Sequence, residues 1–103
     1  MNNSLFTVNS INVGNNTKIE IYSTELCPYC TRARMLLDSK GVDYVEFRVD
    51  RDRNLRHEME QRSRRTSVPQ IFIDEKHIGG FTELAELEII EELDDMLGIR
   101  QHN

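Results

Sequence analysis

The stretch Lys18-Ile19-Glu20-Ile21-Tyr22-Ser23-Thr24-Glu25-Leu26-Cys27-Pro28-Tyr29-Cys30 decides how the chain is read. Its first six residues alternate polar and apolar side chains and are rich in β-branched and aromatic types, which suits a strand. A helix is expected to begin near Cys27 or Pro28, because proline in a first turn lacks only an N–H that would have had no partner there. The two cysteines are the only ones in the chain, and one helical turn separates them. A bridge closing so short a loop would stabilise the fold by roughly 2 kcal/mol before strain is subtracted. Chemistry explains such a pair better than stapling does. A C-x-x-C beside a strand–helix–strand pattern reads as a thiol–disulfide redox motif.

Outward from that stretch, Ala33, Leu36 and Leu37 fall at i, i+3 and i+4 and predict the buried stripe of the helix, with Gly41 as its stop. Val42 to Val49 reads as a second strand, with Val45, Phe47 and Val49 on one face and Tyr44 on the other. Strand, helix and strand at this spacing make a right-handed parallel βαβ unit. Asp52 or Asn54 would cap a second helix running to about Ser63, with a thin apolar stripe of Leu55 and Met59. After Val68-Pro69 comes a short strand, Gln70 to Asp74. Glu75-Lys76 is expected to turn the chain into a hairpin partner at His77-Ile78, which Gly79-Gly80 ends. Thr82 would cap a last helix with Leu84, Leu87, Ile90, Leu93 and Leu97 along one face. The order is β-α-β-α-β-β-α, without internal repeat or linker. Residues 1–16, rich in Asn and Ser, are expected to be a mobile polar tail on a domain spanning 17–103.

A chain of 103 residues, 38% hydrophobic and 30% charged, has the size and balance of one ordinary globular domain. It has no apolar run long enough to span a bilayer, so no membrane partner is expected. The N-terminus has neither the basic segment nor the continuous apolar core of a secretory signal. A cytoplasmic location follows as the expectation, and there a C-x-x-C can cycle. The net charge of −5 argues against nucleic acid as a partner. Charge is nonetheless uneven: seven arginines face four carboxylates between Arg48 and Arg65, and seven carboxylates stand without a basic residue between Glu83 and Asp95. Both runs read first as solvated helix faces.

The thiolate, not the thiol, attacks a disulfide. Cys27 sits where unpaired backbone N–H groups and the positive end of a helix dipole favour negative charge. Cys30, a turn further in, lacks that support. The asymmetry makes Cys27 the nucleophile and Cys30 the residue that resolves the mixed disulfide. A zinc site would need ligands from His57, His77 and His102, whose spacing matches no finger pattern; no metal is expected.

Tyr22 through Cys30, then Thr66-Ser67-Val68-Pro69-Gln70-Ile71-Phe72-Ile73, then His77-Ile78-Gly79-Gly80, together resemble the dithiol glutaredoxins of the small bacterial type. The resemblance covers about Lys18 to Leu97. Leu26 before the first cysteine, in a chain without tryptophan, separates it from thioredoxin and its W-C-G-P-C. The resemblance implies a thioredoxin-like α/β fold: a four-stranded mixed sheet of order 2-1-3-4, its last strand pair antiparallel, flanked by three helices. It also implies a monomeric, glutathione-dependent oxidoreductase acting on glutathione mixed disulfides and protein disulfides, with ribonucleotide reductase as one recipient of electrons. Pro69 would be the family's cis proline facing the thiol. Val68 would pair with the cysteinyl part of glutathione through its N–H and C=O, as an added strand does. Gly80, Phe81 and Thr82 would hold the γ-glutamyl carboxylate at a helix start. Arg56 would reach the glycyl carboxylate, and Tyr29 would contact glutathione beside the thiol.

One position departs from the family. A lysine is common three residues before the first cysteine, and here Thr24 stands there, followed by Glu25. The change removes a cation and leaves a carboxylate nearby. Weaker anion binding and a less acidic Cys27 thiol are expected unless one or more of Arg56, Arg62 and Arg65 compensate. Two other readings stay open: a redoxin reduced by thioredoxin reductase, and a non-catalytic dimer holding a [2Fe–2S] cluster with Cys27 and glutathione. Pro28 disfavours the second, because cluster-binding members usually carry glycine or serine after the first cysteine.

Overall fold

The computed structural model describes residues 17–99. The polar tail expected at 1–16 lies outside the described residues, as do the last four of the expected domain. Four strands form one sheet: β1 (Ile19–Ser23), β2 (Val45–Arg48), β3 (Gln70–Ile73) and β4 (Lys76–Gly79). Their spatial order is β2-β1-β3-β4, the 2-1-3-4 arrangement. β1 pairs parallel with β2, and the β1–β3 and β3–β4 pairs are antiparallel. Four helical segments accompany it among the described residues: α1 (Pro28–Ser39), α2 (Arg53–Ser63), α3 (Phe81–Ile89) and α4 (Leu93–Met96). None is long and apolar enough to cross a membrane.

Burial follows from the strand alternation. Ile19 and Ile21 of β1, with Ile71 and Ile73 of β3, face a core completed by Ala33 and Leu37 of α1, Leu84 of α3, and Leu93 and Leu97. The alternate residues Tyr22 and Phe72 face a smaller cluster with Val49 and Met59. That side is covered by α2, whose apolar stripe is as thin as expected, with Met59 its one buried apolar residue. Its remaining cover is polar and fully partnered. The Tyr22 hydroxyl meets Glu58 and accepts from Arg62 Nη1 at 2.8 Å. Arg62 lies 3.9 Å above the Phe72 ring and pairs with the buried Glu20 at 3.2 Å.

Three local expectations are corrected. The hairpin turns at Asp74-Glu75, one residue earlier than expected; both residues take positive φ (51° and 70°), as the tight turns that match strand twist require. The last helix starts at Phe81 with Gly80 as its N-cap, and Thr82 lies inside the first turn. Glu83 reaches back to accept the Gly80 N–H at 2.7 Å, the glutamate half of a capping box, and Gly80 itself contributes no side-chain cap. The apolar run to Leu97 is also not one helix. It breaks at Ile90–Glu92, with Glu91 at φ 62° and Ile90 exposed, and resumes as α4, making four helical segments where three were expected. The break turns Leu93 and Leu97 back into the core, and Lys40 neutralises Glu88 and Asp94 across it at 2.7 Å each.

Candidate active site

The end of β1 hands the chain directly to the cysteines. Cys27 is the N-cap of α1, in extended conformation, and its sulfur accepts the Cys30 N–H at 3.2 Å. A thiol here occupies the place where Ser or Asp would normally satisfy a helix start. The loop carries little else that is buried: Leu26 is 93% and Tyr29 54% exposed. Both cysteines are free thiols. Cys27 is half-buried, whereas Cys30 is fully buried. Burial, first of all, drives the Cys30 thiol far above the ordinary range, and its hydrogen bond to the Cys27 sulfur adds to this. The Thr24 backbone and the charge of Arg34 oppose the shift without cancelling it. Cys30 therefore keeps its proton while Cys27 faces the surface.

Across from Cys27 runs the segment before β3. The Val68–Pro69 peptide is cis, and the Val68 carbonyl lies 3.8 Å from the Cys27 sulfur. Beside it stands the corner between β4 and α3. Gly79 adopts φ 122°, and a Cβ there would sit 2.7 Å from Glu83 Oε1. A Cβ on Gly80 would press to 3.3 Å from the Pro69 carbonyl. Glycines at both places let the start of α3 come up against the Val68-Pro69 segment.

The result is a groove of about 280 Å³ lined by Tyr29, Arg65, Ser67, Val68, Pro69, Gly80, Phe81, Thr82 and Glu83. Tyr29 and Phe81 face one another with ring centroids 6.4 Å apart, and Arg32 lies 5.3 Å over the Tyr29 ring. Glu83 occupies the Gly80 N–H, and Phe81 and Thr82 are the first two residues of α3 beyond it. Hydrogen bonding to Gly80 and the nearby Arg65 hold the Glu83 carboxyl below its ordinary value.

Of the residues singled out in the sequence, Tyr29, Val68, Pro69, Gly80, Phe81 and Thr82 come together in this groove. Arg56 does not line it; its Nη1 donates to the Thr66 carbonyl at 3.2 Å and stands 3.8 Å from Glu60. Arg62 is held by Tyr22, Glu20 and Glu75. Arg65 is the arginine on the groove, 3.6 Å from Glu83. Glu25 is turned to Arg48 at 3.4 Å. Ser67 and Glu83 line the groove but were not singled out as site residues in the sequence. Glu83 could have been found from its capping-box spacing, three residues after Gly80; Ser67 carries no such signal. No cluster of three or more metal-ligating side chains occurs among the described residues.

Sheet order, strand directions and a C-x-x-C at the strand–helix corner define a thioredoxin-like thiol–disulfide oxidoreductase. The glutaredoxin family model matches residues 19–78. Glutaredoxin 3 of Escherichia coli strain K12 is 52% identical over 79 residues, which cover 77% of this chain and 95% of that protein. Among solved structures, the dithiolic glutaredoxin 2-C-Grx1 of Trypanosoma brucei brucei is 34% identical with a TM-score of 0.73, over 82% of this chain and 90% of that one. A buckwheat glutaredoxin–glutathione complex is 29% identical with a TM-score of 0.73, over 81% and 78%. With more than half its length matched to the family model, the chain belongs to the glutaredoxin family.

Proposed function

We propose that this protein reduces glutathione mixed disulfides and protein disulfides with glutathione as the electron donor. The Cys27 thiolate attacks the glutathionyl sulfur of a mixed disulfide. The S–S bond breaks, the client leaves as a thiolate that takes up a proton, and Cys27 carries the glutathione. A second glutathione thiolate attacks that adduct, releasing the Cys27 thiolate and glutathione disulfide. With a protein disulfide, Cys27 becomes joined to the client. Cys30 then loses its proton and attacks the Cys27 sulfur, expelling the client thiolate; two glutathione molecules reduce the resulting Cys27–Cys30 bridge.

The observation that carries this reading is the convergence on one groove of the Cys27 side, the Val68 backbone and the start of α3. An extended cysteinyl segment fits against Val68 as an added strand. A carboxylate fits the Phe81 and Thr82 N–H groups, as anions fit helix starts. Arg65, which lines the groove, is the candidate cation for a second carboxylate, and Arg56, which donates to the carbonyl of Thr66 next to Ser67, is a further candidate. The relative crystallised with glutathione supports the same choice of co-substrate.

A glutathione-coupled reductase assay on three proteins tests the reading. Wild type is expected to be active and Cys27→Ser inactive. Cys30→Ser should still remove glutathione from mixed disulfides and be poor on protein disulfides. Activity surviving in Cys27→Ser, or wild type inactive with glutathione, would overturn it.

A further inference from the structure

β3 is built of Gln70, Ile71, Phe72 and Ile73, all buried, and Gln70 is 0% exposed. A buried amide is costly unless it is hydrogen-bonded, and an apolar residue could have packed beside Phe72 instead. The Gln70 amide is fully used. Its Nε2 donates to the Ser67 carbonyl at 3.0 Å and to the Ser67 hydroxyl at 3.3 Å. Its Oε1 lies 2.7 Å from His77 Nε2 on β4, and the His77 ring stacks at 5.0 Å on Phe72. A carbonyl only accepts, so the NH₂ side of Gln70 must face Ser67, and His77 must then donate through Nε2–H. The chain of bonds has one consistent direction, from β4 through β3 to the loop.

Ser67 and Val68 share a peptide unit, and among the described residues the sole cis peptide is the following one, Val68–Pro69. In a trans peptide, C=O and N–H point in opposite directions from one rigid plane. Holding the Ser67 carbonyl inward on Gln70 therefore turns the Val68 N–H away from the buried amide. Val68 and Ser67 both line the groove beside Cys27.

We propose that Gln70 is a positioning residue for the disulfide substrate: its buried amide, braced by His77, fixes the Ser67–Val68 peptide plane and so aims the Val68 N–H at the groove. The inference rests on the glutathione reading above, in which that N–H binds the cysteinyl part of the substrate. Without Gln70 the peptide can rotate, and substrate binding must include the cost of fixing it. The nucleophile itself is untouched.

The test is Gln70→Met, which keeps length and bulk but removes all three hydrogen bonds. The KM for a small glutathione mixed disulfide is expected to rise about tenfold, with kcat at saturation nearly unchanged. Alkylation of Cys27 should proceed at the wild-type rate. In amide NMR, titration with S-methylglutathione should shift the Val68 resonance in wild type and need about tenfold more ligand to do so in Gln70→Met. Should that variant lose its fold, His77→Phe removes only the outer bond and should raise KM by about threefold. Wild type that responds to glutathione while the variants match it in KM and in the Val68 shift would overturn the inference alone. Wild type that neither turns over the substrate nor shifts its Val68 amide would overturn the glutathione reading, and the inference with it.

Discussion

Two helix starts frame the groove, and they are capped by different chemistry. At α1 the cap is the Cys27 sulfur, which accepts the Cys30 N–H at 3.2 Å. At α3 it is the Glu83 carboxylate, which accepts the Gly80 N–H at 2.7 Å. A carboxylate cap is an inert way to satisfy a helix start. A sulfur cap does the same work while keeping a nucleophilic atom at the surface. In the proposed reaction one start supplies the nucleophile, and the other, already capped within the fold, would offer its next two N–H groups to the substrate.

The largest predicted effect comes from breaking the first start. Cys27→Ser keeps a side chain able to cap α1 but should lower turnover by about 10³-fold or more; the coupled assay reads this, and a circular dichroism spectrum like wild type separates it from unfolding. Next in size is the contrast between the cysteines. Burial raises the Cys30 thiol, so it stays protonated at neutral pH. Iodoacetamide should label Cys27 about 100-fold faster than Cys30 at pH 7, with the gap narrowing only in strong alkali. Peptide mapping by mass spectrometry measures the ratio; equal labelling would contradict the asymmetry.

Two arginines three residues apart sharpen the comparison further. Arg65→Ala should raise the KM for a glutathione mixed disulfide about fivefold and leave the melting temperature near wild type. Arg62→Ala should do the reverse. It strips the buried Glu20 and Tyr22 of a partner, costing about 2 kcal/mol in denaturant unfolding with KM unmoved. Equal KM effects from the two would mean that the groove does not select its cation by position.

The smallest effect concerns the second start. The Glu83 carboxyl titrates below the ordinary glutamate value of 4.5 in the folded protein. A depressed folded value means that its stabilisation is fully present above about that pH and is lost as pH falls through the folded value. Glu83→Gln should therefore melt a few degrees below wild type at pH 7 at most, about what one part-buried charged hydrogen bond supplies. The difference should shrink on acidification below 4.5. A gap that widens in acid would contradict the cap.

The element order, the parallel first pair and the hairpin were legible because the elements between Lys18 and Gly80 carry strong local signals: β-branched runs, Pro28 in a first turn, Asp52 or Asn54 as a cap, Gly79-Gly80 as a break. The sheet order came with the resemblance to the glutaredoxins. The last helix was not, because its leucines keep an unbroken i, i+3 spacing through Ile90, and no proline or glycine marks the turn at Glu91. Only the demand that Leu93 and Leu97 return to the core ends α3 there. The site divides in the same way. The cysteines could be read from their spacing, while Val68-Pro69 and Gly80-Phe81-Thr82, contiguous motifs that line the groove, were singled out through the resemblance to the glutaredoxins. Which arginine meets the groove could not, since Arg56, Arg62 and Arg65 differ only in what each finds across space. Gln70 looked like any strand residue until its amide was seen to hold the Ser67 carbonyl.

The central claim is that Cys27 takes glutathione onto its own sulfur. Intact-protein mass spectrometry of Cys30→Ser, treated with glutathione disulfide and then with reduced glutathione, tests it directly. The account predicts a single glutathione adduct, mapped to Cys27, that reduced glutathione removes. No adduct on Cys30→Ser, or one that forms as readily on Cys27→Ser, would contradict it.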